Sequence, residues 1–311
     1  MLFAIALFAG VMGAVLLLSG RLRSRRGERV QTLAFVLPAV FMLTVGLLYP
    51  AVRTFYESFR NAASTKFIGI ENYQWLLTDP AQLTILRNTA VWVIVTPFLA
   101  TTIGLVYAVL VDRVRGEAAA KAFIFLPMAI SFVGASLIWK FVYDYRSIEQ
   151  SQIGLANQIL VWLGVDPYRF LLTEPWNTLF LVAIMIWIQS GFAMTVLSAS
   201  IKAIPDDIVE AARLDGASGF RLFRFITLPS IRPAVIVVLT TISIATLKVF
   251  DIVRTATGGN FNTSVLSYEF YNQSFRAFNF GRGAALAVAL FALVTPIVVY
   301  NVRQMRKAQA S

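Results

Sequence analysis

Residues able to do chemistry fall in two places in this sequence. Lys248 and Asp251 stand three positions apart inside an apolar run, Ala234 to Val253, and Gln189 lies inside another, Thr178 to Ser200. A charged side chain at membrane depth costs about 2.5–3.5 kcal/mol on insertion scales, so its presence asks for a reason. At helical spacing Lys248 and Asp251 share a face and partly neutralise each other. That pair is either a structural ion pair near a helix end or a polar wall offered to the hydroxyls of a solute. Gln189, Thr241 and Thr246 add neutral donors and acceptors. Trp187 or Phe192 could stack on a ring or simply pack. The second place is the stretch 204–233, too charged to cross a bilayer and too patterned for a loose loop. Pro205, Asp206 and Asp207 mark a helix start, Gly216 a left-handed break, and Ser218 to Thr227 a second helix that Pro229 stops. Phe220, Phe223 and Ile226 recur at helical spacing beside Arg221 and Arg224. Such a stripe either lies against the bilayer or seats in a partner's groove.

Composition excludes most other chemistry. The 311 residues include no histidine and no cysteine, so the commonest general base, thiolate metal sites and disulfides are gone. No catalytic or metal-binding residues are expected. No Gly-Lys dipeptide occurs, which removes a phosphate-binding P-loop. With 58% hydrophobic residues, 14% charged residues and a mean hydropathy of +0.72, a water-soluble fold is not an option. The net charge of +11 reads in so apolar a chain as a topology signal and not as a nucleic-acid surface.

Each crossing needs about 20 apolar residues. Seven runs qualify: Leu2 to Ser19, Val30 to Val52, Asn88 to Val111, Ala122 to Tyr143, Thr178 to Ser200, Ala234 to Val253 and Gly283 to Val302. They lack the period-two alternation of barrel strands, so the fold class is all-α, a polytopic helical membrane protein of about seven transmembrane helices. Pro38, Pro97, Pro127 and Pro296 lie inside four of the runs. With the segment 20–29 inside, the cytoplasmic side receives 16 of the 27 Lys and Arg and the opposite side 10. That asymmetry puts the C-terminus in the cytoplasm and the N-terminus outside. The first run could instead be a signal sequence, but five arginines follow it and no positive charge precedes it, the reverse of a signal peptide's order. The outer segments 53–87, 144–177 and 254–282 are rich in aromatic and polar residues. They read either as an interfacial belt or as folded loops that dock a partner.

The string EAARLDGASGFRLFRFITLPSIRP at 210–233 resembles the EAA loop of importer-type ABC permeases. The match rests on Glu210, Ala211, Ala212, Asp215, Gly216, Ala217, Phe223, Ile226, Leu228, Pro229 and Pro233. LPMAISFVGASLIW at 126–139, LKVFDIV at 247–253, GRGAALAVAL at 281–290 and GIENYQWLL at 69–77 resemble carbohydrate permeases of the maltose-transport type, most of all α-glucoside permeases. The likeness covers roughly residues 30–305.

The resemblance implies a six-helix permease core plus one N-terminal helix. It divides the chain into residues 1–29, an N-terminal transmembrane helix with a basic cytoplasmic segment, and 30–311, the permease domain with its coupling loop at 201–233. It implies a bacterial or archaeal inner-membrane, multi-pass location. It also implies a second permease subunit, two ATPase subunits that bind the ATP and Mg, an extracytoplasmic sugar-binding protein and contact with membrane lipid. This chain would hold no cofactor and be non-catalytic. Glu210 and the Gly216 turn would sit in a cleft of the ATPase. Gln189, Phe192, Thr241, Ile244, Ala245 and Lys248 would line the substrate pocket, although the family's asparagines in the sixth span are replaced here by alanine and lysine. A neutral sugar is the expected solute, and an ion-coupled secondary transporter of a small neutral solute is the alternative.

Overall fold

The computed structural model describes residues 25–112 and 114–310 together with Gly10 and Gly13. The first apolar run, Leu2 to Ser19, thus lies outside the described residues apart from those two glycines. The chain divides into two compact units, 1–57 and 58–311. In the first, α1 (Arg25–Leu43) passes through a wide turn at Thr44–Leu48 into α2 (Tyr49–Glu57), and Phe35–Glu57 is long and apolar enough to span. Its Phe41, Met42 and Leu47 are exposed, as a face meeting lipid or another helix would be.

The second unit is helical throughout its named elements. They are α3 (Glu71–Thr78), α4 (Pro80–Val111), α5 (Glu117–Phe125), α6 (Phe132–Val142), α7 (Leu155–Trp162) and α8 (Asn177–Lys202). There follow α9 (Asp206–Leu214), α10 (Gly219–Leu222), α11 (Arg232–Leu247), α12 (Asp251–Ala256), α13 (Leu266–Tyr271) and α14 (Phe280–Ala310). Asp79 starts α4 by accepting from the N–H groups of Ala81 (2.9 Å) and Gln82 (3.3 Å), with Pro80 in the first turn where its missing N–H costs nothing. Among the described residues α2 with the end of α1, α4, α8 and α14 are single candidate spans. Two more are bent, α5–α6 by 102° and the α10–α11 stretch by 69°. Pro127 sits in the tight turn Leu126–Ala129 between α5 and α6, whereas Pro97 and Pro296 lie within unbroken helices.

Helix α8 is the core of this unit. Its Leu181, Ile184, Met185, Met194 and Leu197 are fully buried with Trp92 and Ala100 of α4 and Ile242 of α11. Lipid offers no hydrophobic drive for helix association, so close backbone approach matters. A Cβ on Gly104 would stand 2.7 Å from the Met194 nitrogen, and one on Gly191 would stand 2.6 Å from the Ile124 carbonyl. Glycine therefore lets α8 press on α4 at one face and on α5 at another. Several hydroxyls in these helices bond back to their own backbone, Thr89 to Ile85 (2.8 Å), Ser190 to Ile186 (2.6 Å) and Thr246 to Ile242 (2.7 Å), whereas those of buried Thr96 and Thr101 in α4 have no partner among the described residues.

The three loops expected outside are folded. Asn72, 4% exposed, donates to the carbonyls of Ser58 (2.9 Å) and Arg60 (2.8 Å), and Phe280 N–H donates to Ala62 (2.9 Å), so the first loop is tied to the start of α14. Buried Asn157 donates to Asp144 (2.7 Å) and accepts from Tyr168 N–H (2.7 Å), over an aromatic group of Tyr143, Phe170 and Phe180. Asn88 reaches the carbonyl of Ser264 (3.0 Å) and Asn177 that of Phe261 (2.7 Å).

The sixth span departs from expectation. The run Ala234 to Val253 is not one helix: α11 ends at Leu247, and Lys248 and Phe250 lie in the break before α12. The Val249 carbonyl, which a continuous helix would offer to Val253 N–H, instead accepts the Ser267 hydroxyl from α13. Lys248 therefore lies in the break and Asp251 at the start of α12, and they form no ion pair among the described residues.

The packing predicts opposite outcomes at two glycines. Gly104→Ala should destabilise the protein by about 1–3 kcal/mol through overpacking against backbone, whereas Gly46→Ala, with nothing within 4 Å of its added Cβ, should be neutral or slightly stabilising. Thermal unfolding of detergent-purified protein checks this, and equal losses would contradict the close-approach account.

Candidate coupling helices and solute-facing groups

The stretch 201–233 forms the helix, glycine turn and helix read from its sequence. Asp206 and Asp207 occupy the first turn of α9, at the positive end of its dipole. The helix closes with paired caps: Gly216 N–H donates to the Arg213 carbonyl (3.0 Å) and Ala217 N–H to Ala212 (2.9 Å). This geometry needs φ +81° at residue 216, where a Cβ would find open space but a strained backbone.

The second helix runs further than expected. Pro229 does not stop it. After α10 the chain widens into a turn of π type at Phe223–Thr227 and continues through Leu228–Ser230, and the break comes at Ile231. Proline cannot donate to the carbonyl four residues back, and the wider turn immediately before it absorbs that lost bond.

Exposure separates two faces of this pair. Ala212 is buried, and Ala217, Phe223 and Leu228 are half-buried. Glu210, Ala211, Asp215, Gly216 and Pro229 are exposed, and Leu214 and Phe220 are 89% and 76% exposed. Glu210 carries no hydrogen bond or ion pair within the described residues. Phe220 and Phe223, 6.2 Å apart, line an apolar groove with Leu105, Val106 and Val109 of α4. Thus the stripe is half seated on the spans and half presented outward.

The six residues expected to line a solute pocket are placed on two helices. Gln189 and Phe192 are one turn apart on α8; Thr241, Ile244 and Ala245 follow one stripe of α11, and Lys248 continues it just past the helix end. Thr241 and Lys248 are exposed, and the other four are half-buried. The side chains of Gln189, Thr241 and Lys248 make no hydrogen bond within the described residues, unlike buried Thr246, whose hydroxyl is spent on its own helix. Trp187 packs edge-on against Trp139 at 5.8 Å, which assigns it to the core. The structure does not bring all six into one cavity. Only Lys248 lines a space of about 630 Å3, with Phe250, Ser267 and Tyr271 and the Leu290–Val294 face of α14.

Two features escaped sequence reasoning. Around Lys248, the Phe250 and Tyr271 rings meet edge to face at 5.1 Å, and the Arg254 guanidinium lies 4.7 Å from Tyr271. At the end of α8, Lys121 joins Asp112 (2.6 Å) and Glu117 (2.7 Å), Ser198 donates to Asp112 (2.8 Å), and Lys202 meets Glu117. Glu117 and Lys121 are four residues apart on α5, but the α8 partners lie 85 and 86 residues from theirs and leave no local signal.

The family model for the binding-protein-dependent transport system inner membrane component matches residues 100–306. The chain is 46% identical over 272 residues to the osmoprotective compounds uptake permease protein GgtC of Synechocystis sp., covering 88% of this chain and 98% of that one. It is 44% identical over 280 residues to the alpha-glucoside transport system permease protein AglF of Rhizobium meliloti, covering 90% and 83%. A crystal structure of a bacterial ABC transporter involved in the import of the acidic polysaccharide alginate contains a chain of the same fold, with a TM-score of 0.76 at 21% identity over 91% of this chain and 99% of that one. With its helix pair, its broken spans and these likenesses, the chain belongs to the family of binding-protein-dependent transport system inner membrane components, the permease subunits of ABC importers.

Proposed function

We propose that this permease subunit forms half of the translocation pathway for an α-glucoside or short oligosaccharide and takes its driving force through the helix pair at 206–230. The observation that carries the reading is that pair: a capped turn at Gly216 with Glu210 and Leu214 standing outward and unpartnered in the chain. An exposed carboxylate beside a large exposed apolar side chain suits a basic-rimmed apolar cleft. Two ATPase subunits would offer such clefts and hold the ATP and Mg, leaving this chain non-catalytic and without a cofactor. The relatives named for α-glucosides and osmoprotective compounds support a polyhydroxylated, uncharged solute. A second permease would complete the path lined here by Gln189, Phe192, Thr241, Ile244, Ala245 and Lys248. The folded outer loops give a binding protein a rigid landing surface. Membership of this permease family, with relatives that are ABC sugar permeases, supports ATP-driven transport over an ion-coupled mechanism. Lys and Arg asymmetry supports a cytoplasmic C-terminus and an N-terminus outside.

Three measurements test this reading. Glu210→Lys turns attraction into repulsion at the ATPase and should lower uptake about tenfold or more at normal expression; Gly216→Val should do the same through the backbone. Unimpaired uptake in both would reject the coupling role. Lys248→Met keeps the stem and removes the charge and its donors, so sugar uptake should fall. Because Lys248 and Asp251 are not paired, adding Asp251→Asn should restore nothing; full recovery by the double variant would remove Lys248 from the path. Finally, in this cysteine-free chain, a cysteine at exposed Thr65 should react with an impermeant reagent from outside and one at Ser218 only after permeabilisation. The reverse would invert the topology.

A further inference from the structure

The group at the end of α8 lies where the coupling pair meets the spans. Asp112 follows α4 directly, Glu117 and Lys121 belong to α5, and Ser198 and Lys202 form the last turn of α8, four residues before α9 begins. The Asp112 side chain is 9% exposed and accepts from Lys121 (2.6 Å) and Ser198 (2.8 Å), with Lys202 at 3.8 Å. Glu117 is held by Lys121 (2.7 Å) and by the half-exposed Lys202. Two acids and two bases balance, so the group attracts no net counter-charge. An exposed pair of this kind would contribute little. A nearly buried carboxylate differs, because each partner withdrawn leaves its charge less well compensated.

We propose that Asp112 is the positioning residue that locks the ends of α4, α5 and α8 into one body, so that a displacement of the 206–230 pair reaches all three helices together. If α8 alone followed the pair, Ser198 and Lys202 would leave Asp112 behind. The loss of two of the three donors facing that carboxylate, with only Lys121 left, makes the joint movement the favoured one. The same body is reinforced where α5 backbone lies on Gly191 of α8, with Ile124 O 2.6 Å from the Cβ position. From there the bend at Leu126–Ala129 passes movement into α6. Asp112 touches neither solute nor nucleotide; it acts through Lys121, Ser198 and Lys202.

This inference rests on the coupling role of the helix pair, and the experiment separates the two. In the assembled permease–ATPase complex with partner cysteines removed, spin labels at exposed Ala118 and Ala203 report the distance between the start of α5 and the end of α8. The parent should keep one narrow distance without nucleotide and after trapping with ATP and vanadate. Asp112→Asn, which keeps the size and removes the charge, should make that distance shift or broaden on nucleotide trapping by about 2 Å or more, the scale of helix shifts in switching interfaces. A role confined to stability would lower the melting temperature and leave both distances as in the parent, which overturns the proposal. A parent distance that itself changes with nucleotide also overturns it. If Asp112→Asn does not assemble, Ser198→Ala, which removes the α8 hydroxyl that Asp112 holds and leaves Lys121 on the carboxylate, takes its place under the same criteria, with Ser198→Thr expected to restore the parent behaviour. Cross-linking from a cysteine at Ser218 to the ATPase tests the coupling role by itself: loss of the cross-link rejects that role, and an intact cross-link with unaltered variant distances rejects the latch alone.

Discussion

The close seating of α8 on α4 and α5 is the constraint from which the rest of the second unit follows. Apolar side chains gain nothing by leaving lipid for another apolar surface, so helices associate through backbone proximity and packing. Gly104 and Gly191 supply that proximity on two faces of α8. With α8 so confined, its N-terminal end is tied to the Phe261 loop through Asn177, and its C-terminal end to Asp112 through Ser198. The polar groups at both ends are therefore held by a helix that has little freedom to slide.

A second rule, that every buried polar group in a membrane must find a partner inside the protein, sorts the polar residues of the spans. Serines and threonines such as Ser136, Ser190 and Thr246 are spent on the carbonyl four residues back. Gln189, Thr241 and Lys248 are not so spent. The break at Lys248 follows the same rule, because the carbonyl of Val249 would be an orphan without Ser267. Irregular backbone at such depth is tolerated where it is buried in protein or lines a wet cavity. The α11–α12 break fits the first case at Val249, which is buried and has its carbonyl bonded to Ser267.

What was legible in the sequence follows the range of the physics. Helix class and the second through seventh runs were readable because hydrophobic length is a local property, and six runs have helical counterparts among the described residues. The turn at Gly216 was readable because positive φ selects glycine locally. The sixth span was misread as continuous, since nothing within 234–253 announces that a serine from residue 267 will take its carbonyl. Pro229 was misread as a stop, because a wider turn just before a proline leaves no mark in residue type. The pocket candidates Thr241, Ile244, Ala245 and Lys248 were legible only through the resemblance. Spacing gave no means to know that Phe250 and Tyr271 surround Lys248.

The two ends of α11 then acquire a mechanical meaning. At one end the chain turns at Ile231 out of the coupling pair, with Pro233 in the first turn of the new helix. At the other end, 16 residues and about 24 Å away, it breaks at Lys248. A helix with a break at each terminus can tilt without bending its neighbours' hydrogen-bonded backbone. Thr241, Ile244 and Ala245 share that helix and would move with it as a unit, while Gln189 and Phe192 belong to α8. Under the proposed function the groups facing the solute are therefore divided between the helix that the coupling pair enters directly and the helix that glycine contacts join to α4 and α5.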